Sequence, residues 1–282
     1  MTHAELQAGI RYDMPPGFGP SVAPDVETDF DVHCSMIEFE TTRSAVVELM
    51  PRWFLPTSRP RVTIVYRRML GMTWMGGRDY QIVSARVTST YDADPDQAVR
   101  PFAFVIWESD YAPVVAGREL MGAPKLVAEL APVNVAGHDH TFECREYGTL
   151  LVKGSVFGLK PLEREEVRRR STSSSAGSYF WKYIPGPSGV PDADYPVRIS
   201  MTTPFVRIWQ GQGDFEWGRP SVKEAPYSAK IVERLSRLPR LSPISATVWH
   251  AESCVLSRKD TVRLDVGGDL SGYPPAVTRS TG

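Results

Sequence analysis

The sequence predicts a mainly β protein (α+β) built largely from antiparallel strands, with a few helices. Apolar residues make up 42% and charged residues 23% of the 282 residues, which is typical of a chain that folds around its own core. Short runs rich in β-branched and aromatic residues outnumber the helical patterns. Because these runs do not alternate with helices, a parallel α/β sheet is not expected.

The strand-like runs dominate the chain after residue 60. Residues 82–91 alternate apolar and polar side chains, which is typical of a strand with one buried face. Residues 102–107, FAFVIW, are apolar throughout and predict a strand buried on both faces. Pro204 interrupts the run 197–209 and predicts an edge strand or a bulge. The remaining predicted strands are 62–66, 150–157, 245–256 and 261–266.

Two segments predict helices. Residues 42–50 follow a threonine that can cap a helix, and Pro51 ends the pattern. Residues 226–238 carry apolar residues at helical spacing on one side. Residues 163–175 are polar and predict a solvated helix end or loop.

The chain divides into an arm, one domain and a tail. Residues 1–30 are rich in Pro, Gly and Asp and predict an extended N-terminal arm. Residues 31–266 contain every strand-like run and predict a single domain. Residues 267–282 are Gly-, Ser- and Pro-rich and predict a disordered tail.

Charge and cysteine usage limit the partners and the compartment. With 32 basic and 33 acidic residues the net charge is −1, which gives no bulk attraction to nucleic acid or an anionic membrane. No run approaches about 18 apolar residues, the length that predicts a membrane span. The N-terminus lacks the pattern of a secretory signal, and three widely spaced cysteines predict reduced core residues. We therefore expect a cytoplasmic protein.

Two groups of residues have the side chains of a catalytic or metal site but do not predict one. His138 and His140 lie near Cys144, but the segment begins at Gly137 and is typical of a hairpin tip. The pair His33-Cys34 is more typical of a buried thiol beside a surface histidine than of a thiol nucleophile. No metal and no external cofactor are expected.

Lys125 lies in unusually apolar surroundings. It stands between Ala123-Pro124 and residues 126–128, Leu-Val-Ala, and it is one of only seven lysines. An apolar strand leads toward it through Pro113 and a tight Gly-Arg-Glu-Leu turn at 117–120. A lysine in such a place either extends outward to water or is held in a pocket. In a pocket, desolvation favours the neutral amine, which can attack a carbonyl group to form an imine.

The same segment resembles the signature of the acetoacetate decarboxylase family. That signature is Gly-Arg-Glu-Leu, a short variable stretch ending in proline, and then the imine-forming lysine; here it occupies Gly117 to Lys125. Residues 178–185 resemble the family segment that ends in Lys-x-Ile-Pro, and residues 37–51 resemble its first strand and helix. In all, the resemblance covers about residues 30–266.

The resemblance implies a fold and a chemistry. The implied fold is a closed, cone-like antiparallel β barrel with a few peripheral helices, in a protein that forms homo-oligomers. Lys125 would be the nucleophile that forms the imine, and no cofactor is needed because the protonated imine is itself the electron sink. The implied partner is a small-molecule keto acid.

Three positions depart from the family pattern. Leu126 stands where acetoacetate decarboxylases have a second lysine, which activates the first by like-charge repulsion. Val32 stands where an arginine is expected to meet the substrate carboxylate, and the expected acidic residue falls at Tyr80-Gln81. These differences argue against acetoacetate itself as the substrate, while imine formation remains compatible with the sequence.

The candidate site residues follow from the motif and the resemblance. Glu119 is the nearest carboxylate of the motif and a candidate to orient the lysine or to shuttle protons. Arg118 either contacts substrate or ties its own turn to a neighbouring strand. For Trp107 and His250, pocket lining and core packing are equal alternatives. The substrate-binding candidates are Gln81, Arg118, Trp107 and His250.

Three functions remain open at this point. The leading hypothesis is a cofactor-independent Schiff-base lyase that decarboxylates a β-keto acid other than acetoacetate. The second is an aldolase–dehydratase that condenses a small 2-oxo acid such as pyruvate with an aldehyde. The third is a barrel that binds a ligand without turning it over, with Lys125 as a relic.

Overall fold

The computed structural model describes residues 6–93, 98–137, 139–172 and 177–264. Within these ranges the chain forms fourteen strands and four α-helices, together with short 3-10 turns at Pro16–Phe18 and Thr73–Met75. None of the described helices is long and apolar enough to cross a membrane. The predicted tail, 267–282, lies outside the described residues.

The strands are β1 (Val26–Glu40), β2 (Phe54–Pro56), β3 (Arg61–Met72), β4 (Arg78–Tyr91), β5 (Arg100–Glu108), β6 (Lys125–Val127), β7 (Glu129–Leu130), β8 (Asn134–Ala136), β9 (Asp139–Glu146), β10 (Thr149–Pro161), β11 (Ser178–Ile184), β12 (Ala193–Thr202), β13 (Phe205–Trp217) and β14 (Ser245–Arg263). The helices are α1 (Arg43–Val47), α2 (Tyr111–Met121), α3 (Arg164–Thr172) and α4 (Ala229–Ser236).

Seven strands close into a barrel. Their order is β1-β3-β4-β5-β11-β12-β14, and β14 pairs back with β1, so that the ring has no free edge. Most pairings are antiparallel, but β5 pairs in parallel with both β11 and β6. The predicted closed β barrel with peripheral helices is confirmed, with the correction that its sheet is mixed.

The other strands form a second layer outside the barrel. From β14 the sheet continues through β13, β10 and β9 to β7, and helix α4 packs on the same side. The 19-residue strand β14 pairs with β1 and β12 in the barrel and with β13 in the second layer. Both layers therefore depend on one strand.

Alternation along the strands separates two cores. On the inner face of the barrel, residues such as Val32, Met69, Ile82 and Trp249 pack together. The intervening residues, such as Val83, point outward and pack against the second layer. As a result, most barrel strands are buried on both faces.

Several local predictions need correction. The Gly-Arg-Glu-Leu segment is not a tight turn but part of helix α2, which Asp110 caps by accepting a hydrogen bond from the Ala112 amide. Pro204 separates β12 from β13 instead of bulging one strand. The two runs predicted after residue 245 form the single strand β14, and β1 already begins at Val26, inside the predicted arm.

Candidate active site

Lys125 lies at the start of β6, where it pairs with Ile106 of β5 and shares the inner face of the barrel. Its residue is only 7% exposed. Nζ donates a hydrogen bond to the carbonyl oxygen of Pro113 at 2.9 Å and lies 2.9 Å from Oε1 of Glu108. The amine is therefore held at a fixed point and does not extend into solvent.

Glu108 is the carboxylate partner of Lys125. It ends β5 on the inner face and is completely buried. Burial raises the pKa of its carboxyl group, while the neighbouring Lys125 acts in the opposite direction. Neither Oε1 nor Oε2 accepts a hydrogen bond from any residue that the structure describes, so the Lys125–Glu108 contact is an ion pair without hydrogen-bond geometry. A carboxyl group in this position can exchange a proton with the amine.

Gly117 makes room for the lysine. It lies inside helix α2, and a Cβ atom at this position would lie 2.3 Å from Cδ, 2.4 Å from Cε and 2.7 Å from Nζ of Lys125. These distances are far shorter than a van der Waals contact, so a glycine is required for the observed position of the lysine. The glycine of the motif thus has a steric role at the site.

Arg118 and Glu119 support the helix and do not contact the amine. Arg118 is exposed, and its Nη1 donates to the backbone carbonyl of Lys125 at 2.9 Å, which ties α2 to β6. The Glu119 carboxylate accepts from the Met14 amide at 3.0 Å, and its backbone carbonyl accepts from Lys182 Nζ at 2.8 Å.

Gln81 and Trp107 lie on the outer face of the barrel. Gln81 alternates with Ile82 on β4, and its backbone exchanges hydrogen bonds with Ser109. Trp107 is completely buried in the outer core and donates from Nε1 to Ser228 Oγ at 2.9 Å. Both side chains are on the opposite side of the sheet from Glu108.

His250 lies on the outer face of β14, in a separate cluster of histidines. Its ring stacks on His33 with centroids 3.8 Å apart, and both line a cavity of about 330 Å³ together with His140. Burial lowers the pKa of His250 to about 4, and His33, Arg207 and His140 add to the effect. Within the described residues, no group of three His, Cys, Asp or Glu side chains is placed to hold a metal ion.

The three cysteines, Cys34, Cys144 and Cys254, are free and buried. Burial raises the pKa of the Cys34 thiol to about 11 and that of the Cys254 thiol to about 12. A thiol with such a pKa is a weak nucleophile at neutral pH.

The structure brings two arginines to the inner face that sequence reasoning missed. Arg86 is 8% exposed and donates from Nε to Ser84 Oγ at 3.0 Å. The guanidinium of Arg67 lies 5.5 Å from the ring centroid of Trp249. The sequence signal for Arg86 is its place in the polar half of the alternating run 82–91, which the pattern alone places toward solvent. Barrel closure buries this half as well.

An open cleft of about 1020 Å³ borders Lys125 on the side of helix α2. Val114 and Arg118 of α2, Lys125 itself and Tyr227 contribute to its wall, whereas Glu108 does not. Lys125 therefore lies between this cleft and the charged groups of the inner face.

The chain is similar to known proteins over most of its length. The sequence profile of the family described as acetoacetate decarboxylase (ADC) matches residues 13–250. Acetoacetate decarboxylase 3 of Mesorhizobium japonicum is 26% identical over 233 residues, which cover 83% of this chain and 84% of the relative. The acetoacetate decarboxylase of Burkholderia multivorans is 25% identical over 182 residues, 64% of this chain and 70% of the relative.

Solved structures show the same fold. Acetoacetate decarboxylase from Legionella pneumophila superposes with a TM-score of 0.63 at 19% identity, covering 83% of this chain and 87% of that one. The enduracididine biosynthesis enzyme MppR, solved with the condensation product of pyruvate and imidazole 4-carboxaldehyde, gives 0.66 at 14% identity, covering 91% and 97%. Since the family profile spans most of the sequence, this chain belongs to the acetoacetate decarboxylase family.

Proposed function

We propose that the protein is a cofactor-independent Schiff-base lyase in which Lys125 forms an imine with the carbonyl group of a keto acid. The observation that carries the proposal is the buried Lys125 amine, held 2.9 Å from a buried carboxyl group inside the barrel. Membership of the acetoacetate decarboxylase family supports the same chemistry.

Glu108 is the proposed proton acceptor for the amine. Only a neutral amine attacks a carbonyl carbon. Moving one proton from Nζ to the Glu108 carboxylate leaves a neutral amine and a neutral acid, and burial favours such uncharged forms. The amine then adds to the carbonyl carbon, the neutral Glu108 acid returns its proton to the departing oxygen, the C–O bond breaks, water leaves, and a protonated imine remains.

The leading reaction is decarboxylation of a β-keto acid other than acetoacetate. The bond between the α-carbon and the carboxylate breaks, carbon dioxide leaves, and the electron pair moves into the protonated imine to give an enamine. Protonation of the enamine carbon and hydrolysis then release the ketone and restore the amine. Acetoacetate itself is disfavoured because Leu126, Val32 and the pair Tyr80-Gln81 occupy the expected positions of charged family residues.

A second candidate is an aldolase–dehydratase. It is favoured by the similar fold of an enzyme that was solved with a condensation product of pyruvate and an aldehyde. Here the imine of a 2-oxo acid loses a proton from C3 to form the enamine. The enamine carbon adds to the aldehyde carbon, the adduct loses water, and hydrolysis releases an unsaturated 2-oxo acid.

Chemical trapping tests the proposal. The protein is incubated with acetoacetate, pyruvate, or pyruvate plus an aldehyde, then reduced with borohydride, and its intact mass is measured. We expect a stable adduct in the wild type and in the control Lys153→Ala, which changes a surface lysine paired with Glu143, and none in Lys125→Ala. No adduct with any carbonyl compound would instead favour a ligand-binding barrel. Analysis of the products, carbon dioxide or an unsaturated acid, separates the two reactions.

Assembly and location are further proposals. The family resemblance implies a homo-oligomer, and the composition is typical of a cytoplasmic protein. Light scattering on the purified protein tests the first of these directly.

A further inference from the structure

We propose that Arg67 and Arg86 form a carboxylate-binding site on the inner face of the barrel, which holds a substrate carboxylate that is retained in the product. This inference rests on the proposed function, because it assigns the part of the substrate that Lys125 does not touch. It also names a substrate class: carbonyl compounds with a carboxylate that survives the reaction.

Strand register places both arginines on the inner face that also carries Glu108. On β3 and β4, Arg67 is directly opposite Ile82, and on β4 and β5, Ile82 is directly opposite Glu108. The three residues therefore form one row across the inner face. Arg86 lies on the same face of β4, opposite Ala103 of β5.

Neither guanidinium has an acidic partner. No carboxylate oxygen of the described residues lies within 4.0 Å of Arg67 or Arg86. Arg86 is 8% exposed, and its hydrogen bond to a described residue is the neutral one from Nε to Ser84 Oγ. Nε of Arg67 is buried and has no hydrogen-bond partner in the described chain.

The surrounding groups do not supply the missing negative charge. Cys34 is close enough to Arg67 for the guanidinium to favour the thiolate, but burial raises the pKa of this thiol to about 11, and burial also raises the pKa of Tyr80 well above its ordinary value. The Glu108 carboxylate attracts Arg86 from beyond 4.0 Å, but its short contact is with Lys125. Burial and the repulsion from Arg67 lower the pKa of Arg86 to about 9, although Glu108 acts in the opposite direction.

A buried guanidinium beside a second, half-buried one is costly unless an anion joins them. The planar guanidinium group binds carboxylates in a bidentate way, so two of them can hold one carboxylate firmly. A keto acid brings such a group together with the carbonyl that Lys125 needs. The ligand class that fits both parts of the site is therefore a carbonyl compound with a carboxylate.

The bound carboxylate is not the one that leaves. Loss of carbon dioxide removes the negative charge, so two cations that hold this carboxylate would stabilise the ground state more than the transition state. The carboxylate at Arg67 and Arg86 therefore stays in the product. For a decarboxylase this requires a β-keto acid with a second carboxylate; for an aldolase it is the carboxylate of the 2-oxo acid.

Thermal unfolding with unreactive anions tests the site without any imine chemistry. Malonate or oxalate should raise the Tm of the wild type, of Lys125→Ala and of the control Arg68→Gln, because Arg68 lies on the outer face and pairs with Asp79. Arg86→Gln should lose the increase, and its Tm without anion should equal or exceed that of the wild type, because a buried unpaired charge is gone. Arg67→Gln serves as the second variant if Arg86→Gln fails to fold.

An unchanged wild-type Tm with both anions, or an equal increase in Arg86→Gln and Arg67→Gln, would overturn the inference. If anions bind at the arginines but no carbonyl compound is trapped on Lys125, the proposed function fails and the anion site stands. The two failures are thus distinguishable.

Trapping with two ketones tests the link to the reaction. The concentration of pyruvate that gives half-maximal adduct should rise about 10- to 100-fold in Arg86→Gln, since a hydrogen bond to a charged group contributes roughly this much. The value for acetone, which has no carboxylate, should not change. An equal loss for both ketones would contradict carboxylate binding and would assign Arg86 a purely structural role.

Discussion

Glu108 and Lys125 form a buried ion pair at the centre of the candidate site. The pair can exist as two ions or, after one proton moves, as a neutral acid and a neutral amine, and its total charge is zero in both states. Burial favours the neutral state and mutual attraction favours the ionic one. The 2.9 Å contact places the two groups within reach of a direct proton transfer. In the proposed reaction this transfer supplies the neutral amine, a role for which acetoacetate decarboxylases have a second lysine at the position of Leu126.

Glu108→Gln should slow imine formation by about 10²- to 10⁴-fold, the usual contribution of a positioned acid or base. In the wild type the rate should fall as the pH falls through the pKa of Glu108, because the acid form cannot accept the ammonium proton. This pKa is raised, so the fall should begin at a higher pH than for an ordinary glutamate. The measurement is single-turnover borohydride trapping at a series of pH values. A variant that keeps the wild-type rate and pH dependence would show that Glu108 has another role.

The motif from Gly117 to Lys125 identified the lysine but not Glu108, the carboxylate that pairs with it. Glu119 was the natural prediction because it is near in sequence, but it lies two residues after Gly117 in a helix and therefore projects to another side. Glu108 lies 17 positions before Lys125, and only the parallel pairing of β5 with β6 brings the two together. The local spacing of apolar and polar residues does not indicate which strands pair when a helix separates them in the sequence.

At the scale of elements, the motif describes a helix, a turn and a strand. Asp110 caps the start of α2, and Gly122 ends it with a φ of 68°, a conformation that favours glycine. Arg118 then ties the helix to the carbonyl of Lys125. The sequence predicted a turn here because Gly and Pro usually interrupt helices. In this helix Pro113 lies in the first turn, where proline is tolerated, and Gly117 serves the site.

Gly117→Ala should separate site geometry from stability. Alanine is the better helix former by about 1 kcal/mol, which favours the folded state. Its Cβ would overlap Lys125 Cδ, Cε and Nζ, so the amine must move. We expect circular dichroism and a Tm close to those of the wild type, but imine trapping reduced about 10²-fold, the usual result of a displacement of about 1 Å. Full trapping in a folded variant would show that the lysine is not held as we describe.

Protonation of His250, which lies on strand β14, should make the free energy of unfolding depend on pH. Burial and the nearby His33, Arg207 and His140 lower its pKa from 6.5 to about 4. Between these two pH values the imidazole is protonated in the unfolded chain but neutral in the native protein. Stability should therefore fall as the pH falls from about 6.5 to about 4. His250→Phe keeps a stacked ring and should weaken this dependence. Urea midpoints at pH 7.5 and pH 5 measure it, and an equal fall in both proteins would assign the effect to other groups.

At the scale of the whole molecule, both barrel faces are covered, and this limited what the sequence could predict. Strand patterns correctly indicated a mainly β chain. The closing of β1 onto β14 joins residues more than 200 positions apart, and only the family resemblance implied it. The same closure places the polar side of 82–91, with Arg86, inside the barrel. The alternating pattern of one strand is the same whether its polar side faces a polar interior or solvent, so the pattern could not place Arg86 inside the barrel.

Because β14 belongs to both layers, we expect the barrel and the second layer to unfold together. Phe215 of β13 packs on Phe39 of β1, with ring centroids 5.2 Å apart, so it joins the two layers. Phe215→Ala should cost about 3–5 kcal/mol, as is usual for a buried phenylalanine. In urea, tryptophan fluorescence and circular dichroism should shift by the same amount and remain coincident. Phe157→Ala, on the exposed side of β10, is the matched control and should change little. A shared strand gives one cooperative transition if its pairings in the barrel and in the second layer break together. Separate transitions for the two probes would therefore show that the two layers unfold as independent units.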